Sequence, residues 1–117
     1  MIERAKNVNI EIYRGNTERL EFYFFNESGG TQTTIALASE FTTVKMAIRK
    51  RNGSDSTLII EKTLTLDGNL AFTTLTADET QVIDAGVYFY DVKCFDVQGR
   101  EFTYFDGVVK LTDNKTV

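Results

Sequence analysis

Apolar and polar residues alternate with period two in short runs along most of this chain, and turn residues separate the runs at the spacing of an all-β sandwich. No stretch sustains the 3.6-residue period of an amphipathic helix. Val8, Ile10 and Ile12 interleave with Asn9, Glu11 and Tyr13, which predicts a first strand with one buried face, closed by the "RGNT" turn at 14–17. In "ERLEFYFF" (18–25), Leu20, Phe22 and Phe24 point one way while Glu21, Tyr23 and Phe25 point the other, a second strand with one wet face. The Gly-, Ser- and Thr-rich "NESGGTQTT" (26–34) reads as a surface loop, with Ile35 and Leu37 tucked under it as an apolar plug.

Val44, Met46 and Ile48 alternate with Lys45, Ala47 and Arg49 in a third strand, and Asn52-Gly53 marks a tight turn. A fourth strand runs through "TLIIEKTLT" (57–65), "LDGN" (66–69) turns the chain, and Leu70 and Phe72 begin a fifth. Thr76 and Glu79 have the spacing of a capping box, so one short helical turn follows, held to the core by Val82 and Ile83. "DAG" then leads into a sixth strand over 87–95, and "DVQG" (96–99) closes a hairpin to a seventh over 100–111. The expectation is one domain over residues 1–112, with 113–117 a frayed end or linker stub.

Composition narrows the function more than the fold. Apolar residues make up 42% and charged residues 26% of 117, which is globular, and a chain of this length can bury a two-layer core without a metal or disulfide. Seventeen acidic and thirteen basic residues leave a formal charge of −4, with the signs interspersed, which argues against nucleic acid as a partner. The basic cluster Arg49-Lys50-Arg51 reads as a solvated hairpin tip. There is no histidine, so Ser-His-Asp and Cys-His nucleophiles and imidazole zinc sites are closed routes. Cys94 is the single cysteine, and in strand phase it reads as a small core hydrophobe; no disulfide is available to hold the fold. No apolar run approaches a membrane span and the first residues lack a signal-type apolar segment, so a cytoplasmic origin with no membrane partner is expected. No enzyme activity and no cofactor are expected.

"DAGVYFYDVKC" (84–94) carries the detail that names the sandwich type. In immunoglobulin-type domains a tyrosine near the start of the sixth strand turns its hydroxyl back onto upstream backbone, and Tyr88 stands in that place, with Asp84 and Gly86 forming the corner before it. Where antibody domains continue with a core cysteine two positions on, this chain has Tyr90. The fold class expected is thus all-β: an immunoglobulin-like antiparallel β-sandwich of about seven strands, with one short helical turn before the sixth.

Four segments, "YRGNTERLEFYF" (13–24), "TTIALASEFTTVKMAIRK" (33–50), "NLAFTTLTADET" (69–80) and "AGVYFYDVKCFDVQGREFTYFDGVVKLT" (85–112), together resemble the amino-terminal domain of the bacteriophage baseplate upper protein family. Asn16 replaces the usual acidic residue of the first turn, and Ala36-Leu37-Ala38-Ser39 departs from that family's loop. The resemblance implies a virion structural part of tail, baseplate or fibre attachment, made in a bacterial cytoplasm and docked to other tail or baseplate proteins or to itself. A rival expectation is a glycan- or cell-surface-binding module, with Tyr13, Tyr23 and Tyr104 supplying rings for stacking.

Strict alternation places Tyr88, Tyr90, Val92 and Cys94 inward and Phe89, Asp91, Lys93 and Phe95 outward on the sixth strand. With Phe105, Val109 and Leu111 inward on the seventh, Phe102 and Tyr104 face outward beside them. Phe89, Phe95, Phe102 and Tyr104 are then the expected interface, since four aromatics on one outer face would make a contact patch, the alternatives being a β-bulge near Asp106-Gly107 that flips the phase or a "NESGG" loop that covers the face. The Asp67-Gly68-Asn69, Asp96 and Asp106-Gly107 groups are read as turn chemistry in preference to calcium ligands.

Overall fold

The computed structural model describes residues 6–51 and 57–113 and is an immunoglobulin-like β-sandwich. One sheet contains β1 (Lys6–Asn7), β2 (Ile10–Tyr13), β6 (Thr43–Arg49), β7 (Leu58–Thr63), β10 (Gly86–Phe95) and β11 (Glu101–Thr112). Within it β10 lies between β11 and β6, β7 pairs β6, and β1 and β2 share the far side of β11. The other sheet contains β3 (Glu18–Tyr23), β8 (Thr65–Asp67) and β9 (Leu70–Leu75), in the order β3-β9-β8. The pairings are antiparallel except at the amino-terminal edge, where β1 and β2 run parallel to β11. Asn52-Gly53 and residues 114–117 lie outside the described residues.

The core lies between the inner faces. Leu20, Phe22, Ala71 and Leu75 from the three-stranded sheet meet Val44, Met46, Ile48, Tyr90, Val92, Val109 and Leu111 from the other, all buried. These are the period-two positions of each strand, so hydrophobic burial fixes which way every strand faces. Sandwich strands match the seven expected once two of them are seen to break. The first breaks at Val8-Asn9, between β1 and β2. The fourth breaks at Leu64, which is buried and donates its amide to the Val44 carbonyl at 2.8 Å. There β7 leaves the larger sheet and β8 joins the smaller, so the run over 57–65 is two strands in two sheets.

The segment expected as a loop at 26–34 is instead a hairpin of β4 (Phe25–Ser28) and β5 (Thr31–Thr34), turning at Gly29-Gly30. Gly-, Ser- and Thr-rich composition hides a hairpin whose β5 side chains are all exposed, because no apolar alternation is needed where nothing is buried. Ile35 and Leu37 do plug the core beneath it, Leu37 opening the single helical turn α1 (Leu37–Glu40).

Between β9 and β10, α2 (Ala77–Gln81) forms behind a complete capping box. Thr76 Oγ1 accepts from the Glu79 amide at 3.2 Å and Glu79 Oε1 accepts from the Thr76 amide at 2.8 Å. Lys62 clamps the same carboxylate at 2.8 Å; that bond, the Thr76 amide and the Lys62 charge outweigh desolvation and hold Glu79 below the usual carboxylate range. The "RGNT" turn docks onto this helix. The Gly15 amide donates to the buried Thr80 hydroxyl at 3.0 Å, that hydroxyl donates to the Asn16 carbonyl at 2.8 Å, and Arg14 donates to the Ile83 and Gln81 carbonyls at 2.6 and 2.9 Å.

At the following corner the Tyr88 hydroxyl donates to the Asp84 carbonyl at 2.8 Å, just ahead of Gly86 at the start of β10. Tyr88→Phe leaves that carbonyl short of a donor in a part-buried place, and the unfolding free energy is expected to fall by about 1–2 kcal/mol. Urea denaturation checks it; a midpoint unchanged from wild type would mean that water replaces the bond.

Candidate functional site

The outer face of the larger sheet was the expected interface, and the structure dismantles it. The register of β10 on β11 runs Val92 to Phe105 and then Lys93 to Thr103, so Tyr104 is an extra residue in a β-bulge. That one residue reverses the phase of β11 beyond it. Tyr104, 5% exposed, turns into the core with Phe105, packs edge-on against Phe24 at 4.5 Å between ring centres, and donates its hydroxyl to the Phe25 carbonyl at 3.1 Å. Phe102 now opposes Cys94, so it too faces inward, 6.1 Å from the Phe41 ring. Tyr104 is therefore a core residue, and Phe102 is a partly buried one packed against the core.

Phe89 and Phe95 stay half-buried on the outer face but stand six residues, about 20 Å, apart along β10. Asp91 and Lys93 lie between them, and no aromatic patch exists there. Lys45 lies 5.9 Å from the Phe95 ring centre, and Lys93 pairs Glu101 at 3.2 Å. Asp91 directly opposes Asp106; burial pushes its carboxyl up, the nearby Lys93 and Arg49 charges pull it down, and Glu101 and Asp106 push it up again. The face is a mosaic of mixed charge.

A different surface combines an open strand edge with a groove. Among the described residues β3 has a strand partner on one side, β9, and none on the other, so its outer row of backbone N–H and C=O groups is open. Against this edge lies a mostly apolar groove of about 280 Å³ that includes Val8, Ile10, Leu20, Phe22, Tyr23 and Phe105. It opens where the edges of the two sheets come side by side. Val8 and Tyr23 on its walls are 43% and 50% exposed, two of the large apolar side chains this molecule leaves in water.

The groove exists because of how the first strand breaks. Val8 donates its amide to the Asp106 carbonyl at 2.9 Å, and its own carbonyl accepts from the Tyr90 hydroxyl at 2.6 Å. Tyr90 reaches it across Gly107, its cross-strand partner, which has no side chain in the way. Burial, reinforced by the Asp106 charge, pushes the Tyr90 phenol up to about 12, so the hydroxyl stays protonated and keeps donating. Val8, expected in the core, is thereby turned to the groove rim. Alternation identifies Tyr90 as inward, but nothing local says that its hydroxyl anchors a strand more than eighty residues upstream.

Among the described residues no reactive or metal-binding group gathers elsewhere. Cys94 is fully buried, and desolvation, with a contribution from Glu40, pushes its thiol up to about 12. Asp96 is a turn residue: burial raises its carboxyl, but the Arg100 and Gln98 amides and the Arg100 guanidinium outweigh this and hold it below the usual range. Among the described residues no three metal-binding side chains converge. Tyr13 and Tyr23 are exposed on strands of different sheets and Tyr104 is buried, so they form no common platform for a sugar.

No family model and no curated protein matches this chain. Among solved structures it is similar to CopC from Methylosinus trichosporium OB3b, with 11% identity over 97% of this chain and 91% of that one and a TM-score of 0.46. The expectation of a phage virion part is corrected: no family model matches this chain, and Phe102 and Tyr104, half of the aromatic face meant for docking, turn inward.

Proposed function

We propose that this chain is a protein-interaction module without catalytic activity, and that it binds an extended strand of protein along β3. The observation that carries the reading is the coincidence of an open strand edge with an apolar groove beside it. An added strand satisfies the edge's backbone groups, and every second side chain of that strand drops toward Val8, Ile10 and Phe105, which is how strand-addition sites combine affinity with selectivity. Lack of histidine and a buried, protonated Cys94 support the non-catalytic part.

Selection of short extended peptides against the protein tests this, followed by backbone amide NMR of the complex. Bound peptides should carry apolar residues at alternate positions and shift the amides of Val8, Ile10 and Glu18–Tyr23 while leaving Phe89 and Phe95 unmoved. Shifts centred on the outer face of β10, or no selectable binder for a monomeric sample, would defeat the reading.

A further inference from the structure

We infer that the strand taken up by β3 is the β3 of a second copy of this chain, paired antiparallel about a two-fold axis through Leu20. The inference rests on the edge-binding reading above and adds its occupant and register. A dimer of identical chains closes only if the surface is its own complement. In a continued sheet the inward residues must stay inward, so each residue of β3 opposes one of its own phase on the other chain. Axes through Leu20 or Glu21 meet that condition and keep all but one of the six residues of β3 paired, whereas an axis through Arg19 or Phe22 pairs only half of them.

Charge chooses between those two. An axis through Glu21 sets two glutamates face to face, which is destabilising. With the axis through Leu20, Arg19 of each chain faces Glu21 of the other, twice over by symmetry. Within one chain these two side chains already meet on the outer face, Arg19 Nε to Glu21 Oε2 at 2.7 Å, both partly in water. Pairing two copies joins them into a four-charge cluster of alternating sign. On the inner face the two Leu20 side chains meet beside the groove, and Phe22 of each copy falls opposite Glu18 of the other at the ends of the pair. The two small sheets become one, in the order β8-β9-β3-β3-β9-β8.

Light scattering after size exclusion over a range of concentrations tests this with wild type, Arg19→Glu and Glu21→Arg. Both positions are exposed enough to leave the core intact, which matching circular dichroism spectra and melting curves would establish. Wild type should be a dimer and each single variant a monomer. Mixing the two variants in equal amounts should restore a dimer, because every acidic position of one chain then faces a basic one of the other. A wild-type monomer, a dimer that survives both reversals, or variants that stay monomeric when mixed would each overturn the inference. A monomer that still takes selected peptides along β3 overturns the dimer while leaving the edge reading standing; failure of both experiments overturns both.

Discussion

Gly107→Ala is expected to lower the unfolding free energy by about 3 kcal/mol, a fall of roughly 10–20 °C in melting temperature for a domain of this size. A methyl group at this position would overlap the Val8 carbonyl and press on the Tyr90 ring, and the backbone, at φ +155°, lies outside the range that side-chain-bearing residues favour. Backbone cannot yield as a flexible side-chain tip can, so the amino-terminal edge must move away. The 2.6 Å bond from Tyr90 to Val8 is then lost as well, with a buried phenol left without its acceptor. Thermal and urea denaturation of the variant measure the effect. Tyr90→Phe removes the bond without the clash and should cost less, about 1–2 kcal/mol. Equal losses for the two variants, or a Gly107→Ala melt at the wild-type temperature, would show that Val8 does not sit against Gly107 in solution.

The second large effect is expected for Phe24→Ala, a loss of about 3–5 kcal/mol. Phe24 is fully buried, its ring 4.5 Å from Tyr104 and 5.1 Å from Phe105 between centres, both nearly edge-on. Tyr104 is the residue that the β11 bulge turns inward and Phe105 is the inward residue beside it, so this ring fills the space beneath the bulge. The Phe24 backbone also ties the β4–β5 hairpin to the sandwich: its amide donates to the Asn69 carbonyl at 2.9 Å, and its carbonyl accepts from Ile35 at 3.3 Å. Truncation leaves a cavity that neither aromatic neighbour can close, since both are held by the same β11 backbone. Urea denaturation should show a midpoint far below that of Phe89→Ala, which removes a half-buried ring from the outer face. Comparable midpoints would contradict the inward placement of the bulge.

The bulge also decides how far a sequence reading of the interface can reach. Alternation over 101–111 has two self-consistent phases, one on each side of Tyr104, and the chain carries no mark of where one gives way to the other. Extending the downstream phase backwards puts Phe102 and Tyr104 outside; pairing with β10 puts them inside. The edge of β3 is hidden from sequence for a different reason. "ERLEFY" reads the same whether it has one strand neighbour or two, because openness belongs to what is absent beside it.

The sequence by itself determined the sandwich: period two orders the inner faces, Thr76 and Glu79 cap α2, and Tyr88 turns the corner, all through contacts within a few residues or through burial of one face. Only the tertiary structure decided the break of the first strand at Val8, the passage of the fourth between sheets at Leu64, and the open edge of β3. Each depends on pairing between segments dozens of residues apart, as where Tyr90 and Gly107 admit the Val8 carbonyl. Hydrophobic alternation fixes which face of a strand is buried, but it is silent on which neighbour each strand keeps.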